Sequence, residues 1–206
     1  KKGDPNGIGK WYMGREIAYV MGYQGMQWLD RPEREKEENT STLLLNMAID
    51  PEDIIADIGA GSGYHVFKMA KKPLCLIPPR FNALKDYQCH ILIHSFFDQI
   101  KNVRVIKGGE KNINIAENSL DKVLMVDVYH EFNYPAEMLV SIKKALKADG
   151  KLFLIEYRGE DGSVPIKELH KMTEAQAIKE MEAAGLKLHR NIDNLPWQHC
   201  MVFIKN

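Results

Sequence analysis

The run Ile54-Ile55-Ala56-Asp57-Ile58-Gly59-Ala60-Gly61-Ser62-Gly63-Tyr64 restricts the fold more than any other stretch of the chain. Ile54, Ile55, Ala56 and Ile58 form an apolar run of the kind seen in parallel strands covered on both faces. Asp57 stands near the end of that strand. The glycines that follow let the backbone approach a ligand with no Cβ in the way. The next helix presents unpaired N–H groups at its N-terminus.

The rest of the chain repeats this alternation. Residues 64–70 read as a crossover helix, 103–107 as a short strand and 122–128 as a second buried strand. Met138, Leu139, Ile142 and Leu146 make 136–146 an amphipathic helix. Asp149-Gly150 is a turn, and 151–157 a third strong strand. Residues 173–184 form a helix with Thr173 as N-cap, Gln176 at the capping-box position and Gly185 as its stop. Residues 186–192 and 199–205 have no helix between them and must pair antiparallel. Strands alternating with helices imply a parallel sheet, with one reversed strand from the closing pair.

Before the glycine turn the pattern is weaker. Met13, Ile17, Val20, Met21 and Trp28 recur at partly helical spacing, interrupted by Gly14, Gly22 and Gly25, so 11–29 reads as two short helices. Residues 31–38 are a charge run, expected as a solvated helix face on which Arg34 pairs with Glu38. Residues 43–49 form a short helix stopped by Asp50-Pro51. The expected organisation is a helical cap over 1–49 and one α/β domain over 50–206.

At 206 residues, one domain with a sizeable core is expected. The formal net charge of +0 and pI ≈ 7.2 give no long-range pull on nucleic acid or an anionic membrane. Neither partner is expected. Cys75, Cys89 and Cys200 are odd in number and lack C-x-x-C spacing, which argues against a disulfide framework or a zinc site. A reducing, cytoplasmic setting is the default.

The glycine spacing selects the ligand. A dinucleotide fingerprint is G-x-G-x-x-G, whereas this turn reads G-x-G-x-G. A carboxylate at Asp57 would repel a pyrophosphate and suits a ligand carrying an ammonium and a sulfonium. On these residues the chain resembles the class I S-adenosylmethionine-dependent methyltransferases. The resemblance covers most of 50–206. It implies a doubly wound, Rossmann-like, mostly parallel seven-stranded sheet whose last strand is antiparallel. It implies S-adenosyl-L-methionine held along Asp57, Gly59, Ala60, Gly61, Gly63 and Tyr64, with Glu110 near the adenine, Asp127 close by, and Tyr12 and Arg15 contributed by the cap. Glu110 reads equally as a solvated turn residue.

Val128-Tyr129-His130-Glu131-Phe132 lies at the carboxyl end of a strand, where open α/β sheets bind ligands. It is similar to the V-L-H-H-F segment of small-molecule methyltransferases of the quinone-biosynthesis type. His130 is the first candidate for proton acceptor, because an unperturbed histidine side chain titrates near neutrality, and Tyr129 the second. The plainer alternative is a histidine capping the helix near Pro135. Glu131 would orient His130 or ligate a metal, but one histidine beside one carboxylate is a poor ligand set, and no metal is assigned. The N/D-P-P-Y form used to methylate planar amino groups is missing.

The pattern breaks after the first helix. The family places a ribose-binding acid at the end of its second strand, yet no Asp or Glu lies between Lys71 and Lys85. Pro78-Pro79 would end any central strand, and 81–100 has no clean helical stripe. Three explanations stand: the ribose contact comes from elsewhere, cofactor affinity is weak or lost, or 73–100 is not the native reading frame. The expectation is methyl transfer to a small-molecule acceptor. The alternatives are a catalytically impaired binding protein of the same fold and a nucleotide-dependent oxidoreductase.

Overall fold

A computed structural model of the chain describes residues 3–22, 25–70, 74–77 and 102–206. Among them, eight strands form one mixed sheet. Strand β3 (Ile54–Ile58) is flanked by β4 (Leu74–Ile77) and β6 (Leu120–Val126), both parallel to it. β5 (Val103–Val105) lies outside β4, and β7 (Leu146–Arg158) continues the parallel run beyond β6. β10 (Gln198–Lys205) then runs antiparallel to both β7 and β9 (Leu186–Asn191), giving the order β5-β4-β3-β6-β7-β10-β9. The two-residue β8 (Lys171–Met172) pairs parallel with β7 off this path, so the sheet has eight strands rather than the expected seven.

Burial on both faces explains the near-continuous apolar runs. Along β3, Ala56 and Ile58 face one core and Ile55 the other. Along β6, Val123 and Met125 are set against Leu124 and Val126. One face is covered by α3 (Thr40–Asn46) and α4 (Tyr64–Met69), which supply Leu43, Val66 and Met69. The other is covered by α5 (Pro135–Ala145) and α6 (Glu174–Ala183), which supply Met138, Leu139, Ile142, Ala177 and Met181. Thr173 Oγ1 caps α6 by accepting from Gln176 N at 3.2 Å. The Gln176 side chain does not close the box; it donates to Glu180 Oε1 at 2.7 Å. Asp149-Gly150 is not a free turn but lies within β7, where the register with β6 shifts.

The N-terminal cap differs most from expectation. Its first part is an antiparallel hairpin, β1 (Gly7–Tyr12) and β2 (Arg15–Ala18). Met13 (φ +47) and Gly14 (φ +109) form the two-residue turn between the Tyr12–Arg15 pair, the positive-φ geometry that suits strand twist. Among the described residues the first helices are α1 (Met26–Leu29) and α2 (Arg34–Glu38). The described part of β4 ends at Ile77. The missing ribose acid, the reading-frame question and the unpatterned stretch 81–100 otherwise fall outside the described residues. No described helix is long and apolar enough to cross a membrane.

Candidate active site

The turn after β3 approaches α1 closely at Gly61. Gly61 has φ +57, and a Cβ there would come within 2.7 Å of Leu29 Cδ1. Leu29 belongs to α1, which with α2 lies against the turn. Ser62 Oγ donates to Asp30 Oδ1 at 2.7 Å. Arg34 donates to Leu29 O at 2.6 Å and sits over the Tyr64 ring at 4.3 Å. Asp57, one residue before the end of β3, is buried beside the turn.

The carboxyl ends of β6 and β7 bring further acids to the same edge. Asp127 follows β6 with φ +49 and accepts from Gln198 Nε2 at 2.8 Å. Burial, then the Glu38 and Glu156 carboxylates, push its acid well above the usual carboxylate range. Glu38 ties α2 to the sheet. It accepts from Arg31 at 2.8 Å, Arg34 at 2.7 Å and the Tyr157 hydroxyl at 2.8 Å. Burial, then Asp127 and Glu38, raise the Tyr157 phenol, which keeps it a donor. The Arg34–Glu38 pair expected on a solvated face is present but buried, both residues being under 5% exposed.

A third group surrounds the 3-10 turn Tyr129–Glu131. Glu156, fully buried on β7, accepts from Tyr129 N at 2.9 Å and holds His130 Nδ1 at 2.6 Å. Glu180 on α6 accepts from the Tyr129 hydroxyl at 2.6 Å and from Arg15 at 2.7 and 3.0 Å. Arg15 also donates to His130 O at 3.0 Å. Met21 N donates to Glu131 Oε1 at 3.0 Å, and the Lys10 ammonium reaches Asn133 O. The hairpin and the segment after it thus roof residues 129–133. From the far side, the 3-10 turn Glu168–His170 enters; His170 Nδ1 lies 3.0 Å from His130 Nε2. The parallel pairing of Lys171 with Tyr157 carries His170 to this place, level with Glu156.

The structure therefore gathers Asp57, Gly59, Ala60, Gly61, Gly63, Tyr64 and Asp127 at the carboxyl edge of the sheet. His130 has both ring nitrogens engaged. Tyr129 is fully buried, its phenol raised well above the usual range by burial and then by Glu180, and its hydroxyl serves Glu180. Arg15 is likewise committed to Glu180 and to the backbone of His130. Tyr12 ends β1 next to this hairpin turn, and Glu110 is exposed beyond β5. Sequence reading did not assign Glu38, Glu156, His170, Glu180 and Gln198 to the site. The pairing of β7 with β8 and β10 brings in Glu156, His170 and Gln198, and the packing of α2 and α6 brings in Glu38 and Glu180.

Residues 56–154 match the family profile described as a methyltransferase domain. A solved S-adenosylmethionine-dependent methyltransferase from Aquifex aeolicus superposes with a TM-score of 0.79 at 18% identity, covering 91% of this chain and 100% of that one. Residues 56–154 thus match a methyltransferase domain, and the chain has the fold of the class I S-adenosylmethionine-dependent methyltransferases. S-adenosylmethionine is the cofactor of such domains. The residues present fit it: the turn after β3 carries glycines with positive φ at 59, 61 and 63, and Asp57 is a buried acid beside that turn to face a cationic ligand. Curated relatives of the methyltransferase domain are named as tRNA U34 carboxymethyltransferases. One from Desulfotalea psychrophila is 26% identical over 112 residues, 54% of this chain and 34% of its own. One from Helicobacter pylori strain P12 is 30% identical over 105 residues, 50% of this chain and 40% of its own. The chain spans between about a third and two-fifths of the length of these two relatives. They correct the expectation that nucleic acid plays no part. A net charge of zero is a sum over the whole chain and does not exclude a nucleic-acid substrate.

Proposed function

We propose that the chain transfers the methyl group of S-adenosylmethionine to a small-molecule acceptor. The observation that carries this reading is the roof: Arg15, Met21 and Lys10 bind the hairpin and the segment after it to residues 130–133, so the chain itself encloses the acceptor side. When bound, the cofactor supplies an already activated methyl group, and catalysis is mainly alignment. Asp57 holds the cationic portion, and Asp127 offers a hydrogen bond at the same edge. Glu156, His130 and His170 form a hydrogen-bonded line from the core towards the surface, with His170 22% exposed at its outer end. The acceptor proton enters through the outer nitrogen of His170. His130 and Glu156 stabilise the resulting imidazolium.

Calorimetry with S-adenosylhomocysteine tests the cofactor half, and absence of binding at millimolar ligand would sink it. The relatives' names support a second reading, transfer of a methyl or carboxymethyl group to tRNA. Radiolabel carried into tRNA but not into small phenols, thiols or amines would favour that reading over the first.

A further inference from the structure

We propose that His130, Glu131 and His170 form a binding site for one first-row divalent transition metal, with zinc the reference ion. The three ligand atoms belong to two adjacent residues and one 40 positions later. His130 Nε2 and His170 Nδ1 are 3.0 Å apart, and Glu131 Oε1 lies 3.9 and 3.8 Å from them. A triangle with those sides has a centre about 2.1 Å from every corner, within the ranges for zinc–nitrogen and zinc–carboxylate bonds. A hydrogen bond between two histidines explains only the shortest side. It does not explain a carboxylate oxygen equidistant from both rings.

The surroundings have the form of a metal site. Glu156 holds His130 Nδ1 at 2.6 Å, which directs the Nε2 lone pair inward, as carboxylates behind zinc-bound histidines do. Met21 N donates to Glu131 Oε1 at 3.0 Å and fixes that carboxylate. His130 and Glu131 are buried at 2% and 3% side-chain exposure, whereas His170 is 22% exposed. Protein therefore closes one side and leaves the other open to an exchangeable ligand. Two imidazoles and a carboxylate favour zinc, iron(II) or cobalt(II) over magnesium or calcium, which take oxygen ligands.

The role of the ion rests on the methyl-transfer reading. Seated beside the acceptor, it would bind the acceptor's O–H or S–H, lower its pKa and release the proton to water. It takes the His130 and His170 lone pairs used above for proton transfer, so the two mechanisms are alternatives at one place.

The full chain, purified and dialysed against metal-free buffer, is tested with zinc and cobalt(II). About one zinc per chain is expected to remain, cobalt(II) to give a visible d–d band, and zinc at about 100 times its Kd to raise Tm by about 5–10 °C. His170→Ala, at a partly exposed position, abolishes all three effects. Glu156→Gln weakens affinity about 10- to 100-fold, and His189→Ala on exposed β9 changes nothing. No retained metal and no Tm shift, or equal binding by His170→Ala, overturns the proposal. S-adenosylhomocysteine calorimetry on metal-free and loaded chain separates the two claims. Metal binding without nucleoside binding sinks methyl transfer and leaves the site standing, and the reverse result does the opposite.

Discussion

Asp127 combines a left-handed backbone with a buried acid whose pKa is pushed well above the usual carboxylate range by burial and by Glu38 and Glu156. Its folded-state pKa lies above the ordinary value of about 3.9. The stability tied to its neutral form is complete below about pH 4 and is lost as pH rises through the folded-state value. Asp127→Asn tolerates the same backbone and cannot ionise. It is expected to gain Tm over the wild type progressively above pH 4, by about 2–4 °C at the plateau. Thermal melts from pH 4 to 9 check this, and a constant offset would refute it. Asp57→Asn is expected to weaken S-adenosylhomocysteine binding about 10- to 100-fold, the loss of one charge-assisted contact. Asp57 and the glycines were legible as a strand running into a glycine turn because that signal is entirely local. His170 and Glu156 were not, since nothing in their local sequence marks them and their meeting depends on β8 lying beside β7.

At the scale of elements, two carboxylates fasten the cap to the domain. Glu38 binds Arg31, Arg34 and Tyr157, and Glu180 binds Arg15, Tyr129 and Gln176. Removing either leaves buried cations or hydroxyls without their acceptor. Glu38→Ala is expected to cost about 3–5 kcal/mol in urea unfolding. Gly61→Ala should lose about 1–2 kcal/mol from the positive φ alone and lift Leu29 from the turn as well. Adding Leu29→Ala should relieve only the steric share, read as incomplete recovery of the urea midpoint. The hairpin escaped the sequence reading for a local reason. Gly14 was taken as a break between helices, whereas Met13-Gly14 is a positive-φ turn without the usual Asn or Asp before glycine. The charge run 31–38 misled in the opposite way. Only its part Arg34–Glu38 forms a helix, and that helix buries Arg34 and Glu38.

For the whole molecule, the alternation of apolar runs and amphipathic stretches was enough to give the layers and the reversed strand. That follows from physics: a strand buried on both faces cannot hide its composition, and a closing pair without a helix must turn back. The bounds of β7 and the extra β8 depend on register, which composition does not carry. Saturating S-adenosylhomocysteine, about 100 times its Kd, is expected to raise Tm by about 5–10 °C in scanning calorimetry. No shift would remove the cofactor from this site.

The position of β10 between β7 and β9 sets an order on biosynthesis. β9 leaves the ribosome first yet finds no neighbour in the sheet until β10 arrives, because β10 fills the slot separating it from β7. Until then a nascent chain exposes β7 as an open edge, a template for unwanted association. Translation stalled ahead of Gln198 should therefore yield a chaperone-bound, aggregation-prone intermediate, and release of the last strand should act as the zip that ends that vulnerability.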